Sequence, residues 1–480
     1  MQVDTQMIEN VVSEVLRRIN SSSSAKGGCL SCDSCTSCAK DGVFKSVDEA
    51  VRAASEAQKQ LAGKSLAVRS QAVEAIRRVM RNRAEELGVM ELEETKIGRK
   101  DHKIEKLIVA ADQTPGMEML KSDVWSGDNG LTVVEYAPWG VIGIVTPVTH
   151  SIPTLGSNAI QIISAGNSLV CNPHPSGAKC ACYATNLFNR AIREQIGINN
   201  LICIIEKPTI ESANEIFNHP DIDMLCITGG PGVVKAAMRS PKKAVVAGPG
   251  NPPVVVDETA DIDRAARCII TGAAFDNNLL CISEKEIFAI DGIFDKLREA
   301  MKRHGAHELN SQQIDALVNA AFKPAGDGSG KVVLNKALVG KDPQVLADAI
   351  GLKLPPGVEL LFGETSENCP FVDHEQMMPF VPMVRCRDID HAIALAVKYE
   401  HGYGHTAILH SLNVANMTKM GKAVDTTLFV KNGPSTAGDG LGGEGFMSYS
   451  IATPTGEGPT SPLTFTRKRR CVMVENLRII

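Results

Sequence analysis

The chain is predicted to be an α/β protein built from two alternating domains, and three features carry that expectation. Short apolar runs without internal alternation, Val141 to Thr146, Ser168 to Cys171, Leu201 to Ile205 and Met224 to Ile227, are separated by helix-like segments. Such runs suit parallel strands buried on both faces, and the helices between them suit the crossovers a parallel sheet needs. The alternation starts again after Pro252, and 480 residues at 44% hydrophobic are enough for two or three separate cores.

Composition narrows the class. A formal net charge of -5 with 22% charged residues excludes a strongly basic nucleic-acid binder and the disordered class. The longest apolar stretches, such as Ala392 to Val397, fall far short of the ~20 residues a bilayer crossing requires, so no membrane partner is expected. The N-terminus lacks an apolar core followed by a small-residue cleavage site. Fourteen cysteines, most of them isolated in core-like segments, fit a reducing compartment better than a disulfide scaffold.

In chain order, Ile8, Val11, Val12, Val15, Leu16 and Ile19 form one apolar stripe on a short helix, with Asp4 as its cap. A Ser/Gly/Cys segment follows, so the stripe must dock either on its own body or on a partner. Val47 to Lys59, Ser70 to Ala84 and Lys103 to Thr114 read as amphipathic helices. Leu131 to Ala137 has a weak alternation suited to a strand outside the main core. The first parallel series then runs through the helices Leu155 to Ser164, Ala178 to Arg193, Ile210 to Phe217 and Gly232 to Met238 and closes on Ala244 to Ala247. The second comprises Val254 to Val256, the helix Ile262 to Thr271, Val332 to Leu334, Val345 to Ile350, Val358 to Phe362, Phe380 to Arg385, Ile389 to Tyr399 and Thr406 to Leu409. A Gly-rich run, Asn432 to Gly445, precedes the terminal segment.

Several groups have chemical potential. Cys281 follows Asp276, Asn277, Asn278, Leu279 and Leu280; a thiol at such a turn is either a nucleophile aided by amide donors or a buried small hydrophobe. Thr146, Pro147, Thr149 and His150 fall where a loop passes over a strand's C-terminal end, the usual binding edge of an open sheet. Asn172, Pro173, His174 and Pro175 occupy the same place on the next strand. Thr228, Gly229 and Gly230 open a helix whose free N–H groups suit a phosphate. Cys29, Cys32, Cys35 and Cys38 have the short spacing of a zinc or iron–sulfur site, but in a Ser/Gly linker the redox-sensitive or unliganded reading outweighs it, so no metal is assigned. His401, His405 and His410 read as part of a turn before a strand. Arg467 to Arg470 reads as a solvated face or a set of intersubunit pairs.

From about Ser46 onward, the motifs Pro138-Trp139-Gly140, Asn172-Pro173-His174-Pro175, Thr228-Gly229-Gly230 and Asn277-Asn278-Leu279-Leu280-Cys281 resemble the aldehyde dehydrogenase superfamily, specifically the CoA-acylating propionaldehyde and acetaldehyde dehydrogenases of bacterial microcompartments. The resemblance implies an aldehyde dehydrogenase-like fold with a Rossmann-type NAD-binding domain, an α/β catalytic domain and a small β oligomerisation domain. It makes Cys281 the nucleophile and NAD and coenzyme A the co-substrates. Hydrolytic relatives carry a Glu-Leu-Gly-Gly segment whose glutamate activates water; here Ala247-Gly248-Pro249-Gly250 stands in its place, so the thioester waits for an external thiol. Thr149 and the backbone at Cys281 replace the family's oxyanion-binding asparagine, and Glu375 matches the glutamate that contacts the nicotinamide ribose.

On this reading residues 1–20 are a targeting helix, 21–45 a linker, 46–250 the NAD-binding domain with a β excursion near 120–137, 251–435 the catalytic domain, and 436–480 a C-terminal segment given partly to oligomerisation. The expected reaction is reversible oxidation of a short-chain aldehyde, propionaldehyde or acetaldehyde, to its acyl-CoA. The expected partners are microcompartment shell or cargo proteins docked through the N-terminal helix and further copies of the chain, as a dimer or dimer of dimers. The expected location is the bacterial cytoplasm, inside a microcompartment. The rival readings are a hydrolytic dehydrogenase releasing free acid and a catalytically silent scaffold protein.

Overall fold

The computed structural model describes residues 41–324 and 332–480. The targeting helix and Cys29, Cys32, Cys35 and Cys38 lie outside the described residues. Asp41 to Lys45, expected to be the end of the linker, instead starts the body: Val43–Phe44 (β1) pairs in parallel with Ile202–Ile205, because the apolar pair completes a buried sheet edge.

Four helices follow. Val47–Ala62 is capped by the Ser46 side chain and buries Val47, Ala50, Val51, Ala54, Ala57 and Leu61 on one stripe. The helix expected over Ser70 to Ala84 starts earlier and ends sooner, as Leu66–Asn82; Ala84 instead begins a separate helix, Ala84–Thr95, the two breaking at Arg83, whose φ of -116° and ψ of 16° are not helical. Lys100–Gln113 buries Leu107, Ala110 and Ala111 together with Lys103 and Lys106. Asp123–Gly127 (β2) and Gly130–Pro138 (β3) then form an antiparallel hairpin.

The first parallel sheet consists of β1 with Val141–Thr146 (β4), Ser168–Pro173 (β5), Ile202–Ile205 (β6), Met224–Thr228 (β7) and Lys243–Ala247 (β8). Its order is β1-β6-β5-β4-β7-β8. The chain therefore winds outward from β4 through β5 and β6, then returns to the other side of β4 for β7 and β8. The reversal opens a crevice at the C-terminal ends of β4 and β7, where open α/β sheets bind ligands. Apolar cores cover both faces, one centred on Ile142, Ile144 and Leu169 and the other on Val141, Val170 and Leu225.

The second parallel sheet has the order β11-β14-β15-β10-β9-β16-β17. Its strands are Pro253–Val256 (β9), Glu286–Ile290 (β10), His307–Glu308 (β11), Leu361–Thr365 (β14), Phe380–Cys386 (β15), Thr406–His410 (β16) and Leu428–Lys431 (β17). Val332–Leu334 (β13) is not in this series. It pairs antiparallel with Phe322–Pro324 (β12) in a separate ribbon, where Val332 and Val333 stay exposed, so its apolar run is no mark of a central strand. The strand β10 and the helices Asp291–Arg303 and Ser311–Ala321 lie in a stretch that the sequence reading left unassigned.

The C-terminal segment returns to the first half. Thr466–Val474, the last strand, pairs antiparallel with β3 from Thr466↔Pro138 to Val474↔Gly130 and completes a three-stranded sheet with β2. Arg467 to Arg470 are thus strand residues: Arg467 Nε donates to the Pro138 carbonyl at 3.0 Å and the Arg470 guanidinium lies 5.0 Å from the Trp125 ring centroid. Among the described residues no helix is long and apolar enough to cross a membrane, and no three His, Cys, Asp or Glu side chains are grouped to hold a metal.

Candidate active site

Cys281 is partly buried just before β10, at the end of an unusual turn. Asp276, Asn277 and Asn278 all have left-handed φ values, 49°, 57° and 64°. Three consecutive non-glycine residues in that region are costly and persist only where surroundings over-determine them. The surroundings do so. Asn277 Nδ2 donates to the Gly340 carbonyl at 3.1 Å and to Asp342 Oδ1 at 2.9 Å; Asn278 Nδ2 donates to the carbonyls of Ala273 and Glu284 at 3.0 and 2.9 Å. These amides, expected as possible donors to the thiol, are therefore spent on holding the turn. Lys285, fully buried, donates to the carbonyls of Asn278 and Leu280 at 2.9 and 3.1 Å.

The Cys281 thiol is pushed up to about 12, first by burial and then by the carboxyls of Glu375 and Asp439, while Lys285 pulls it down. Its backbone N–H is directed at its own sulfur and so stands where an oxyanion would develop. Burial brings Lys285 down to about 8 and raises Glu375 to about 7, the latter moderated by Lys285 and by a hydrogen bond from the backbone of Gly250. Carboxyls are thus present near the sulfur after all, though not at the Ala247 to Gly250 segment. Gly250 is there for space: a Cβ on it would lie 2.6 Å from the Cys281 carbonyl oxygen and 2.9 Å from Cγ of the buried His405 ring. His405 is held down near 4 by burial and by Lys285, so its imidazole is neutral.

A second buried cluster joins this turn to the loop after β4. Lys103 and Lys106 both donate to the Thr149 carbonyl, at 3.0 and 3.2 Å. Lys106 also pairs with Asp276 and donates to His150 Nδ1 at 3.0 Å, and Lys103 pairs with Glu91 at 2.8 Å. Burial drives His150 well below its ordinary value, so the neutral ring accepts from the ammonium group. Lys106 is lowered to about 8 by burial against the pull of Asp276, and Asp276 is held below the usual carboxylate range because its two lysines outweigh burial. The Thr149 hydroxyl has no hydrogen-bond partner among the described residues and is free for a ligand.

The sheet-edge residues fall as follows. Thr146 ends β4, buried, and its carbonyl accepts from His174 N at 3.0 Å; Pro147 continues into the half-buried loop. Thr228 ends β7 across the crevice, its hydroxyl 2.8 Å from that of Ser450. Gly229 and Gly230 face open space: an added Cβ would meet nothing nearer than 3.8 Å at Gly229 and nothing within 4 Å at Gly230. That clearance fits the approach of a dinucleotide to the backbone. His174 and Pro175 are exposed at the rim beyond β5. Asn172 is already used within the fold, donating to the Thr209 carbonyl at 3.3 Å and accepting from Ser212 Oγ at 2.6 Å.

Lys285, Asp439 and the clamp of Lys103, Lys106 and Asp276 were not anticipated. For the clamp a signal existed: residues 103, 106, 107 and 110 are spaced as a buried stripe, and two of them are lysines. A charge on a buried stripe asks for a buried partner.

Residues 35–324 match the aldehyde dehydrogenase family model. The chain is 45% identical over 479 residues to the acetaldehyde dehydrogenase (acetylating) EutE of Salmonella typhimurium, covering 100% of both chains. The structure of a propionaldehyde dehydrogenase from the Clostridium phytofermentans fucose utilisation bacterial microcompartment superposes with a TM-score of 0.89 at 43% identity, covering 92% of this chain and 100% of that one. A Rhodopseudomonas palustris propionaldehyde dehydrogenase with bound propionyl-CoA gives a TM-score of 0.89 at 44% identity, covering 92% and 97%. That enzyme has also been solved with CoA and an acylated cysteine.

Proposed function

The chain belongs to the aldehyde dehydrogenase family, and on that premise we propose that it is an NAD-dependent, CoA-acylating dehydrogenase that converts short aldehydes to acyl-CoA through a thioester on Cys281. The observation that carries the reading is the placement of Cys281 on a turn immobilised from several sides, with Lys285 tied to that turn and the Cys281 N–H directed at the sulfur. The near-full-length likeness to acetylating and propanoylating relatives supports the same assignment.

The chain's residues divide the work. Loss of the thiol proton lets the Cys281 sulfur bond to the aldehyde carbon, and the carbonyl oxygen gains the negative charge. The Cys281 N–H and the Thr149 hydroxyl stabilise that charge. Bound NAD⁺ supplies the hydride acceptor, and CoA supplies the thiol that takes the acyl group. Thr146, Pro147, Thr228, Gly229 and Gly230 hold the dinucleotide along the β4/β7 crevice, His174 and Pro175 at its rim and Glu375 toward the reacting end; Asn172 supports this edge indirectly by fixing Thr209 and Ser212. The Lys285 ammonium draws the thiol toward its ionised form.

Mass analysis after exposure to aldehyde and NAD⁺ without CoA is expected to find an acyl adduct on Cys281, and Cys281→Ala to lose it while NAD binding persists. Acyl transfer by that variant, or acid release at full rate without CoA, would replace this reading with the hydrolytic one.

The domain assignment and the assembly belong to the same proposal. The three-stranded sheet of β2, β3 and the last strand, with Val124, Trp125, Val472 and Val474 exposed, is the oligomerisation surface of a dimer or dimer of dimers. The enzyme works in the bacterial cytoplasm inside a microcompartment, and residues 1–20 dock it there on shell or cargo proteins. Deleting them is expected to abolish encapsulation while leaving turnover intact; retained encapsulation would reassign that helix.

A further inference from the structure

Next to the turn that carries Cys281 lies a narrow cavity of about 10 Å³, room for one water-sized group such as a hydroxyl. Leu280 and Ile282, the neighbours of the nucleophile, form part of its wall with Val109, Phe275 and Met447. Such a lining would suit a plain alkyl chain, except for the face opposite. The 3-10 turn Ser435–Asp439 presents Thr436 and Asp439 to the cavity; residues three apart in a 3-10 turn share one face. Both side chains are nearly fully buried.

Asp439 is the anomaly. One carboxyl oxygen, Oδ1, accepts from the Ser448 N–H at 3.0 Å. The other, Oδ2, has no hydrogen-bond partner among the described residues. The Tyr449 hydroxyl, also on the cavity wall, gives its proton to the Lys106 carbonyl at 3.2 Å and so does not satisfy it. A carboxyl oxygen without a partner inside the protein and open to a cavity takes its hydrogen bond from whatever fills the cavity, a water or a ligand hydroxyl.

We propose, building on the acylating reading above, that the aldehyde taken by this site carries a hydroxyl group on its alkyl chain, bonded by the Asp439 carboxyl. Asp439 is then the specificity-determining residue. Burial holds its carboxyl well above the usual range, so it is neutral and can both donate to and accept from a hydroxyl. Neutrality also spares Cys281, whose ionisation a charged Asp439 opposes. Sites built to hydrogen-bond a substrate hydroxyl discriminate against the analogue lacking it, because their own polar group is then left unpaired.

The test compares kcat/KM for CoA-dependent NADH formation with matched pairs, glycolaldehyde against acetaldehyde and 3-hydroxypropionaldehyde against propionaldehyde, for the full chain and for Asp439→Leu and Asp439→Asn. The hydroxylated member is expected to be favoured at least tenfold, the ratio to fall at least tenfold in Asp439→Leu, and Asp439→Asn to keep most of it, since an amide also donates and accepts. A wild-type ratio at or below one in both pairs overturns the proposal without needing either variant, as does a ratio that Asp439→Leu leaves unmoved. Turnover of plain aldehydes without preference refutes this inference alone, whereas no NADH from any of the four aldehydes refutes the acylating reading and this one with it.

Discussion

Replacing Gly250 by alanine tests whether the turn bearing Cys281 is held to sub-ångström tolerance. The added Cβ would sit 2.6 Å from the Cys281 carbonyl oxygen and 2.9 and 3.1 Å from two carbons of the His405 ring. Ordinary contacts begin near 3.4 Å, so the oxygen must retreat by about 0.8 Å and the ring by about 0.5 Å. Neither yields freely: His405 is buried, and the Cys281 turn is tied to Lys285 through two carbonyls. Overpacking of this kind costs about 1–3 kcal/mol of stability, and a nucleophile displaced by about 1 Å loses on the order of 100-fold in rate. The NADH burst in a rapid-mixing experiment without CoA is the assay, because it isolates acyl-enzyme formation. Gly248→Ala is the matched control: its Cβ would lie 3.1 Å from a Pro454 side-chain carbon and touch nothing of the turn. The expected result is a burst rate lowered by roughly 30- to 100-fold in Gly250→Ala and by less than about threefold in Gly248→Ala. Equal bursts in the two variants would refute the reasoning.

Two further perturbations address the buried charges. Lys106→Met leaves Asp276 with Lys103 3.8 Å away as its nearest cation, so its cost should fall near the low end of the ~3–5 kcal/mol seen when a buried pair is broken; a denaturant midpoint corresponding to less than about 1 kcal/mol would show the clamp to be dispensable. Glu375→Gln removes the foremost charge holding the Cys281 thiol up. Glu375 itself ionises at about 7, so at saturating NAD⁺ the variant should acylate faster than wild type above that pH, with the two profiles converging below it as the wild-type carboxyl is protonated. Superimposable profiles from pH 6 to pH 9 would exclude the coupling.

The parallel sheets were legible because a strand buried on both faces must be continuously apolar, and β4 from Val141 to Thr146 matches its expected bounds at both ends. The same logic misassigned Val332–Leu334, since a short apolar run looks alike in a central strand and in a peripheral ribbon; only pairing with Phe322–Pro324 separates the two. The long gap before it hid β10, whose first residue is the fully buried Glu286 and so breaks the apolar pattern. Within the site, Cys281 was identified through family motifs, whereas the groups that fix it come from distant parts of the chain. Lys106 and Asp276 are 170 residues apart, Asp439 and Cys281 nearly as far, and no local pattern encodes such pairings.

That separation bears on how a thioester can persist beside carboxyls. Missing a glutamate at Ala247 to Gly250 is not by itself protection, because Glu375 ionises near neutrality and acts on the same sulfur. What differs is the surroundings of that carboxyl: it accepts from the Gly250 backbone and lies within the field of Lys285. Both interactions favour its charged form, but burial outweighs them, so at about 7 it is more basic than a free carboxylate and its pKa alone does not keep water from being activated. Asp439, the other candidate, is kept uncharged by burial and so has no proton vacancy to offer. CoA needs no such base, because its thiol ionises far more readily than water and thiolates attack thioesters well. Selectivity for the thiol thus follows from the greater acidity of CoA and from Asp439 being uncharged, together with the missing carboxyl at Ala247 to Gly250, and not from any weakness of Glu375 as a base.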